Sequence, residues 1–236
     1  MKLSLSFALL LATSSMVTAL ESSAASPAKA NAEINGWGMP TDPDGDCKFF
    51  VAHDELLITV PGNNGPHDLA AEIKTVNAPR VLQPVRGDFV LQVKIEGRLT
   101  PGDESTLPGR TGYNGAGIVL MADPENVICL ARAVLHRSGG EPMPYANFEM
   151  RSNGKLDRIG YANEHPLPMT GPVFLRLERR GQKIIGAVSA DGVKWDVLKS
   201  KKIPADWPQK LKVGVVAIST SKEEFNPRFS NLQIVK

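Results

Sequence analysis

Residues 173–234 read VFLRLERRGQKIIGAVSADGVKWDVLKSKKIPADWPQKLKVGVVAISTSKEEFNPRFSNLQI, and no part of the chain says more about its architecture. Valine, isoleucine and leucine alternate here with polar residues. The runs break at Arg180-Gly181, at Asp191-Gly192 and across residues 204–208, which carry Pro204 and Pro208. Alternation with period two gives a strand one buried and one wet face. Glycine at a two-residue break supplies the positive φ that hairpin turns require. The stretch predicts a twisted antiparallel sheet that buries one side.

The same punctuation extends upstream. Residues 47–52 and 55–60 flank the turn His53-Asp54 and predict a hairpin, and PGNNGPHD at 61–68 is a loop of turn formers. Residues 69–75 and 80–84 predict short strands or irregular edges. At 89–97 (FVLQVKIEG) Phe89, Leu91, Val93 and Ile95 share one face. A polar loop at 100–114 precedes three further predicted strands at 115–122, 127–135 and 145–152. No window shows the 3.6-residue period of a helix, so helix is expected to be confined to a turn or two. Eleven to thirteen strands favour two packed sheets over one open sheet. The fold class expected is all-β, a two-sheet antiparallel sandwich with little helix.

The chain has 236 residues and is 42% hydrophobic, enough for one sizeable core. Its 27 basic and 25 acidic residues nearly cancel, and no basic block occurs, so neither nucleic acid nor an anionic membrane is expected as a partner. Lys2 followed by a short apolar, small-residue run predicts a signal peptide over 1–25. Its serines and threonines make it too polar for a membrane span. Residues 26–33 then read as a linker and 34–236 as one domain, secreted or periplasmic. Cys47 and Cys129 are left either as one disulfide or as two thiols.

The strings NGAGIVLMADPENVICLARA, NFEMRSNGK, FLRLERRGQKIIGAVSADGVKW, KVGVVAIS and FSNLQI, in that order, resemble the concanavalin A-like β-sandwich proteins. Within them the chain is similar to the uncharacterised DUF1349 group, a likeness that NAPRVLQPVRGDF extends towards the N-terminus. The resemblance covers about residues 35–236 and implies a jelly roll with a concave, ligand-binding face. Asp191-Gly192 is expected to make a hairpin turn and Trp195 to pack on the sheet. Glycoside hydrolases of this fold resemble one another in a strand carrying Glu-x-Asp-x-x-Glu. Here Glu149 stands alone, so retaining glycosidase chemistry lacks its second carboxylate. No HExxH, HxH or GxSxG pattern occurs, and no catalytic residue is assigned.

What remains is a surface. If Ala146, Phe148 and Met150 face the core, Tyr145, Asn147, Glu149 and Arg151 share the opposite face, and Leu175 and Leu177 inward put Arg176 and Glu178 outward. With Arg132 near one end, these seven residues are the expected ligand site on the concave face. Planar hydrogen-bonding groups beside an aromatic ring suit a sugar. The bland alternative is a solvated face of cross-strand ion pairs. Arg80 and Asp88 are expected to form a buried pair. The turn Asp42-Pro43-Asp44-Gly45-Asp46 has the alternate oxygen spacing that suits Ca²⁺, as in some relatives of this fold. Cys47 and His53, however, stand where an EF-hand needs Gly and Glu, and an acidic β-turn explains the spacing equally well. His67-Asp68, in the loop beyond, reads as an exposed turn. The function expected is non-catalytic binding of carbohydrate or another extracellular ligand. The rivals are a glycoside-acting enzyme similar to keto-sugar hydrolases, with a deep pocket of His, Asp and Glu, and a structural envelope protein with none.

Overall fold

The computed structural model describes Ser26–Pro27, residues 32–160 and residues 164–236; the expected signal peptide lies outside the described residues. The strands are β1 (Ser26–Pro27), β2 (Met39–Thr41), β3 (Lys48–Ala52), β4 (Glu55–Thr59), β5 (Leu69–Ala70), β6 (Thr75–Val76), β7 (Arg80–Arg86), β8 (Phe89–Glu96) and β9 (Gly112–Asp123). They continue with β10 (Asn126–His136), β11 (Met143–Ser152), β12 (Lys155–Arg158), β13 (Val173–Arg180), β14 (Lys183–Ser189), β15 (Asp196–Lys202), β16 (Lys210–Ser219) and β17 (Arg228–Val235). One sheet runs β1-β3-β4-β17-β8-β13-β14-β15, and the other β12-β11-β10-β9-β16-β7-β2. Every pairing in both is antiparallel. The two-sheet β-sandwich is therefore as the alternation indicates. It contains more strands than expected because short pairs such as β2 and β5–β6 carry too few residues to show a period. Ser26–Pro27, in the stretch read as a linker, pairs with Val51 and Phe50 of β3.

The two sheets bury their facing sides in one core. Phe89, Leu91, Val93 and Ile95 of β8 and Leu175 and Leu177 of β13 meet Ile118 and Leu120 of β9, Ile128 and Leu130 of β10, and Phe148 of β11. Each such side chain, fully buried, contributes about 1.5–3 kcal/mol relative to exposure. Gly186 of β14 leaves room for Phe148 from the opposite sheet: a Cβ there would lie 2.8 Å from the ring. The Phe148 contact so fixes the sheet spacing at that point.

The two sheets differ on their outer sides. β8 and β13 alternate buried with partly exposed residues. β9, β10 and β16 are instead buried on both faces through most of their length. The cause is a cover formed by residues 66–78. Leu69 and Ala78 join Val119, Met121, Val127, Cys129, Ala131, Val216 and Ile218 in a second apolar cluster on the outer face of the seven-stranded sheet. Strands buried on both faces read as continuous apolar runs, which is why GIVLMA and KVGVVAIS lack clean alternation. The cover is a β5–β6 pair around a single 3-10 turn, Ala71–Ile73. It is pinned by paired backbone hydrogen bonds between His67 and Ser219 (2.8 and 2.9 Å) and by the amides of Asn77 and Ala78 donating to the Asp68 carbonyl.

Two local expectations meet the structure differently, and one hairpin is new. The β3–β4 hairpin turns at His53 with φ 52°, as the break there predicts. β12 returns from β11 through Asn153-Gly154, both at positive φ (51° and 71°), the signature of a tight hairpin turn. Arg80 and Asp88 do not pair: Arg80 donates to the Ala78 carbonyl, and Asp88 accepts from the Gly181 amide. Arg80 thus finds a backbone partner two residues away, whereas Asp88, in the β7–β8 turn, ties that turn to the β13–β14 turn.

Candidate functional site

β11 follows the predicted register. Ala146, Phe148 and Met150 enter the core, and Tyr145, Asn147, Glu149 and Arg151 face the outer side. That side is not open concave surface. The cover residues and β12 turn it into a pocket of about 510 Å³, lined by Asp68, Glu72, Arg110, Tyr113 and Arg158 as well as by the four β11 residues. All four β11 side chains are consequently buried along most of their length.

Arg151 organises the pocket floor. It is 4% exposed, and its guanidinium donates from Nη1 to Glu149 Oε1 (2.6 Å) and from Nε and Nη2 to the two oxygens of Glu72 (2.8 and 3.2 Å). Glu72 reaches it from the 3-10 turn, 79 residues away in sequence. A fork gripping two carboxylates at these lengths is the strong form of a charged hydrogen bond. Burial opposes the charged form of Glu72, yet the Arg151 bonds and charge outweigh it and hold that carboxyl below its usual value. Burial likewise opposes the Arg151 charge, and the two glutamates reverse it and push its pKa up.

Asp68 brings a further carboxyl into the pocket wall. Burial raises its pKa to about 6; the bond from the Leu69 amide (2.7 Å) opposes that rise, and the negative charges of Glu149 and Glu72 add to it. Burial also raises the phenols of Tyr113 and Tyr145, so both remain neutral donors, and Asn147 Nδ2 donates to Tyr113 Oη at 3.2 Å. At the rim, the guanidinium groups of Arg110 and Arg158 are exposed and make no hydrogen bond or ion pair among the described residues. The pocket thus offers acceptors, neutral donors and two free cations, and no histidine lines it.

The other expected site residues lie elsewhere. Arg176 and Glu178 belong to β13 in the eight-stranded sheet, with their side chains on its outer face, so the sandwich separates them from Tyr145, Asn147, Glu149 and Arg151. Arg176 stacks 3.8 Å from the Trp195 ring and bonds to Gln92, and Glu178 accepts from Arg180. One face cannot hold both groups, because β11 and β13 lie in different sheets. Arg132 is 1% exposed and faces the sandwich interior. It donates to the carbonyls of Gly171, Pro168 and Met169, clamping that loop in place, and does not line the pocket. Sequence reasoning missed Glu72, Asp68, Arg110, Arg158 and Tyr113, which come from loops or strand ends without periodicity.

The acidic turn also gains an unforeseen partner. Asp46 Oδ1 lies 2.9 Å from His67 Nε2 and accepts from the Cys47 thiol at 3.4 Å. Asp44 receives a bond from Asn77 (2.6 Å), and Asp42 receives one from the Cys47 backbone amide (2.8 Å). His67 is 1% exposed, not the exposed turn residue its sequence neighbours suggest. Cys47 and Cys129 are both free thiols, one in this turn and the other in the outer apolar cluster.

No protein-family model matches the chain, that of the DUF1349 group included, and no curated protein matches its sequence. Solved structures do match its fold. A functionally unknown protein from Saccharomyces cerevisiae aligns with a TM-score of 0.59 at 13% identity over 84% of this chain and 96% of its own. The GH43 protein BlXynB from Bacillus licheniformis gives 0.58 at 15% identity over 83% of this chain, which spans only 35% of that one. Peanut lectin, solved with a nine-residue peptide, gives 0.50 at 11% identity over 90% of this chain and 98% of its own. At these identities the likeness establishes a shared concanavalin-like jelly roll and nothing finer.

Proposed function

We propose that this chain is an exported, non-catalytic carbohydrate-binding module of the DUF1349 type that takes its ligand in the pocket over β11. The observation that carries the reading is the pocket itself: a half-open cavity of about 510 Å³ whose wall mixes carboxylates, phenols, an amide and two unengaged rim arginines. Its volume falls within the range of about 300–1,000 Å³ typical of small-ligand sites. Sugar hydroxyls need donors and acceptors in alternation, and this wall supplies both. Neighbours of this fold include a lectin and glycoside hydrolases, which is compatible with the reading without deciding it. A structural envelope role predicts a flat face of ion pairs, and the pocket speaks against it.

A second reading has one observation in its favour. Two carboxyl groups share the pocket, Asp68, which burial raises to about 6, and Glu149, which Arg151 hydrogen-bonds, and a glycoside-acting enzyme needs two such groups as acid and base. Thermal-shift measurements across a glycan panel test the first reading. A glycan-specific rise in Tm, diminished in Arg110→Ala/Arg158→Ala, is the expected result, since a ligand bound only by the native state stabilises it. No rise for any glycan, or a rise indifferent to both arginines, counts against the pocket. Release of reducing sugar from a glycan by the wild type, abolished in Asp68→Asn, selects the enzyme.

A further inference from the structure

Outside the pocket, one cluster of side chains has an arrangement that neither packing nor sugar binding uses. Asp46, Cys47 and His67 bring a carboxylate oxygen, a thiol sulfur and an imidazole nitrogen within 4.8 Å of one another. The individual separations are 2.9 Å from His67 Nε2 to Asp46 Oδ1 and 3.4 Å from Cys47 Sγ to the same oxygen. Asp44 Oδ2 lies 3.9 Å from the same His67 nitrogen. On a tetrahedral Zn²⁺, with bonds of about 2.0 Å to N or O and 2.3 Å to S, ligand atoms lie about 3.3–3.5 Å apart. The Asp46 separations from His67 and Cys47 are close to those edges, and Asp44 would have to move inward to complete a tetrahedron.

Two further observations point to a missing cation. His67 is buried, and among the described residues its only side-chain polar contacts run through Nε2 to Asp46 and Asp44. Among the described residues it is also the only basic group within ion-pair distance of Asp42, Asp44 or Asp46. Asp42 Oδ1 is buried beside them with no partner at all. Asp44 and Asp46 thus converge on one imidazole nitrogen, a donor arrangement that a divalent cation would also satisfy.

We infer that Asp46, Cys47 and His67, with Asp44 as the fourth ligand the geometry offers, form a site for a zinc-class divalent transition metal. Thiolate and imidazole donors select such an ion over Ca²⁺, which takes six to eight oxygens. Asp42 does not ligate; its carboxylate holds the Cys47 backbone amide and so orients the thiol. Burial, with Asp42 and Asp46 adding to it, keeps the free Cys47 thiol protonated. Metal binding reverses that preference: the thiol proton leaves to solvent, the Zn–S bond forms, and the imidazole proton moves from Nε2 to Nδ1. The ion then ties the β2–β3 turn to the 61–68 loop, and through it to the cover that walls the pocket.

Titration of the metal-stripped chain with Co²⁺ tests the site directly. The wild type is expected to give the intense visible bands of tetrahedral Co²⁺ together with a near-ultraviolet thiolate charge-transfer band. Cys47→Ser loses the charge-transfer band and Cys129→Ala keeps it, with far-ultraviolet circular dichroism showing each variant folded. In parallel, Zn²⁺ raises the Tm of the wild type and of Cys129→Ala but not of Cys47→Ser. The inference is overturned if Co²⁺ gives no tetrahedral spectrum, if Cys47→Ser retains the charge-transfer band, or if Ca²⁺ raises the Tm while Zn²⁺ does not.

Discussion

Replacing Asp68 by asparagine should make the protein more stable at neutral pH, and the gain should depend on pH in a defined direction. Asp68 Oδ1 accepts the Leu69 amide at 2.7 Å, and asparagine preserves that acceptor. What it removes is a charge that burial, Glu149 and Glu72 all disfavour, although Arg151 favours it. The folded-state pKa is about 6 against an ordinary 3.8. Below the lower value both states are protonated. Between the two, the unfolded chain ionises while the folded chain keeps its proton, so stability falls as pH rises through this window. At 1.36 kcal/mol per pKa unit the full gap corresponds to about 3 kcal/mol, and water in the open pocket screens this towards about 1–3 kcal/mol. Urea unfolding of the wild type and Asp68→Asn from about pH 4 to pH 8 reads the term, because titrations remote from Asp68 cancel in the difference. The asparagine variant should be barely different at about pH 4 and about 1–3 kcal/mol more stable above pH 7. Parallel profiles, or a less stable variant at pH 7.5, would refute the reasoning.

Other outcomes follow from named contacts. Arg151→Met strands Glu149 and Glu72 without their partner and should cost about 3–5 kcal/mol in urea unfolding, whereas Arg151→Met/Glu149→Leu/Glu72→Met should recover much of the loss. Gly186→Ala places a methyl against Phe148 and should cost about 1–3 kcal/mol, and the smaller ring pocket of Phe148→Leu should reduce that cost. Arg176→Ala removes a stacked cation on the far sheet. It should cost under about 1 kcal/mol and leave glycan affinity unchanged, as a titration of both proteins with the same glycan would show.

The sandwich was legible because period-two alternation is a local signal. β8 and β13 show it residue by residue, and the outward set Tyr145, Asn147, Glu149 and Arg151 follows from the β11 register alone. Which sheet a strand joins is not a local property, so the alternation of β13 correctly turned Arg176 outward while leaving open which outside it reached. The cover was illegible for a different reason. Leu69, Val76 and Ala78 are scattered among turn formers, with no period to mark them, yet they bury the outer face of β9, β10 and β16. With the cover came Asp68 and Glu72, whose partners lie far away in sequence, and the burial of His67. The acidic turn was visible, but its meaning depended on a histidine 21 residues on from Asp46.

The most direct test of the account is a ¹⁵N-correlation NMR titration with the best glycan from the panel, read at two side chains. The Asn147 amide group reports on the β11 pocket, and the Trp195 indole reports on the opposite sheet. The account predicts saturable shifts at Asn147 and its neighbours with Trp195 unmoved. Shifts centred on Trp195, or none at Asn147 at saturating glycan, would contradict it.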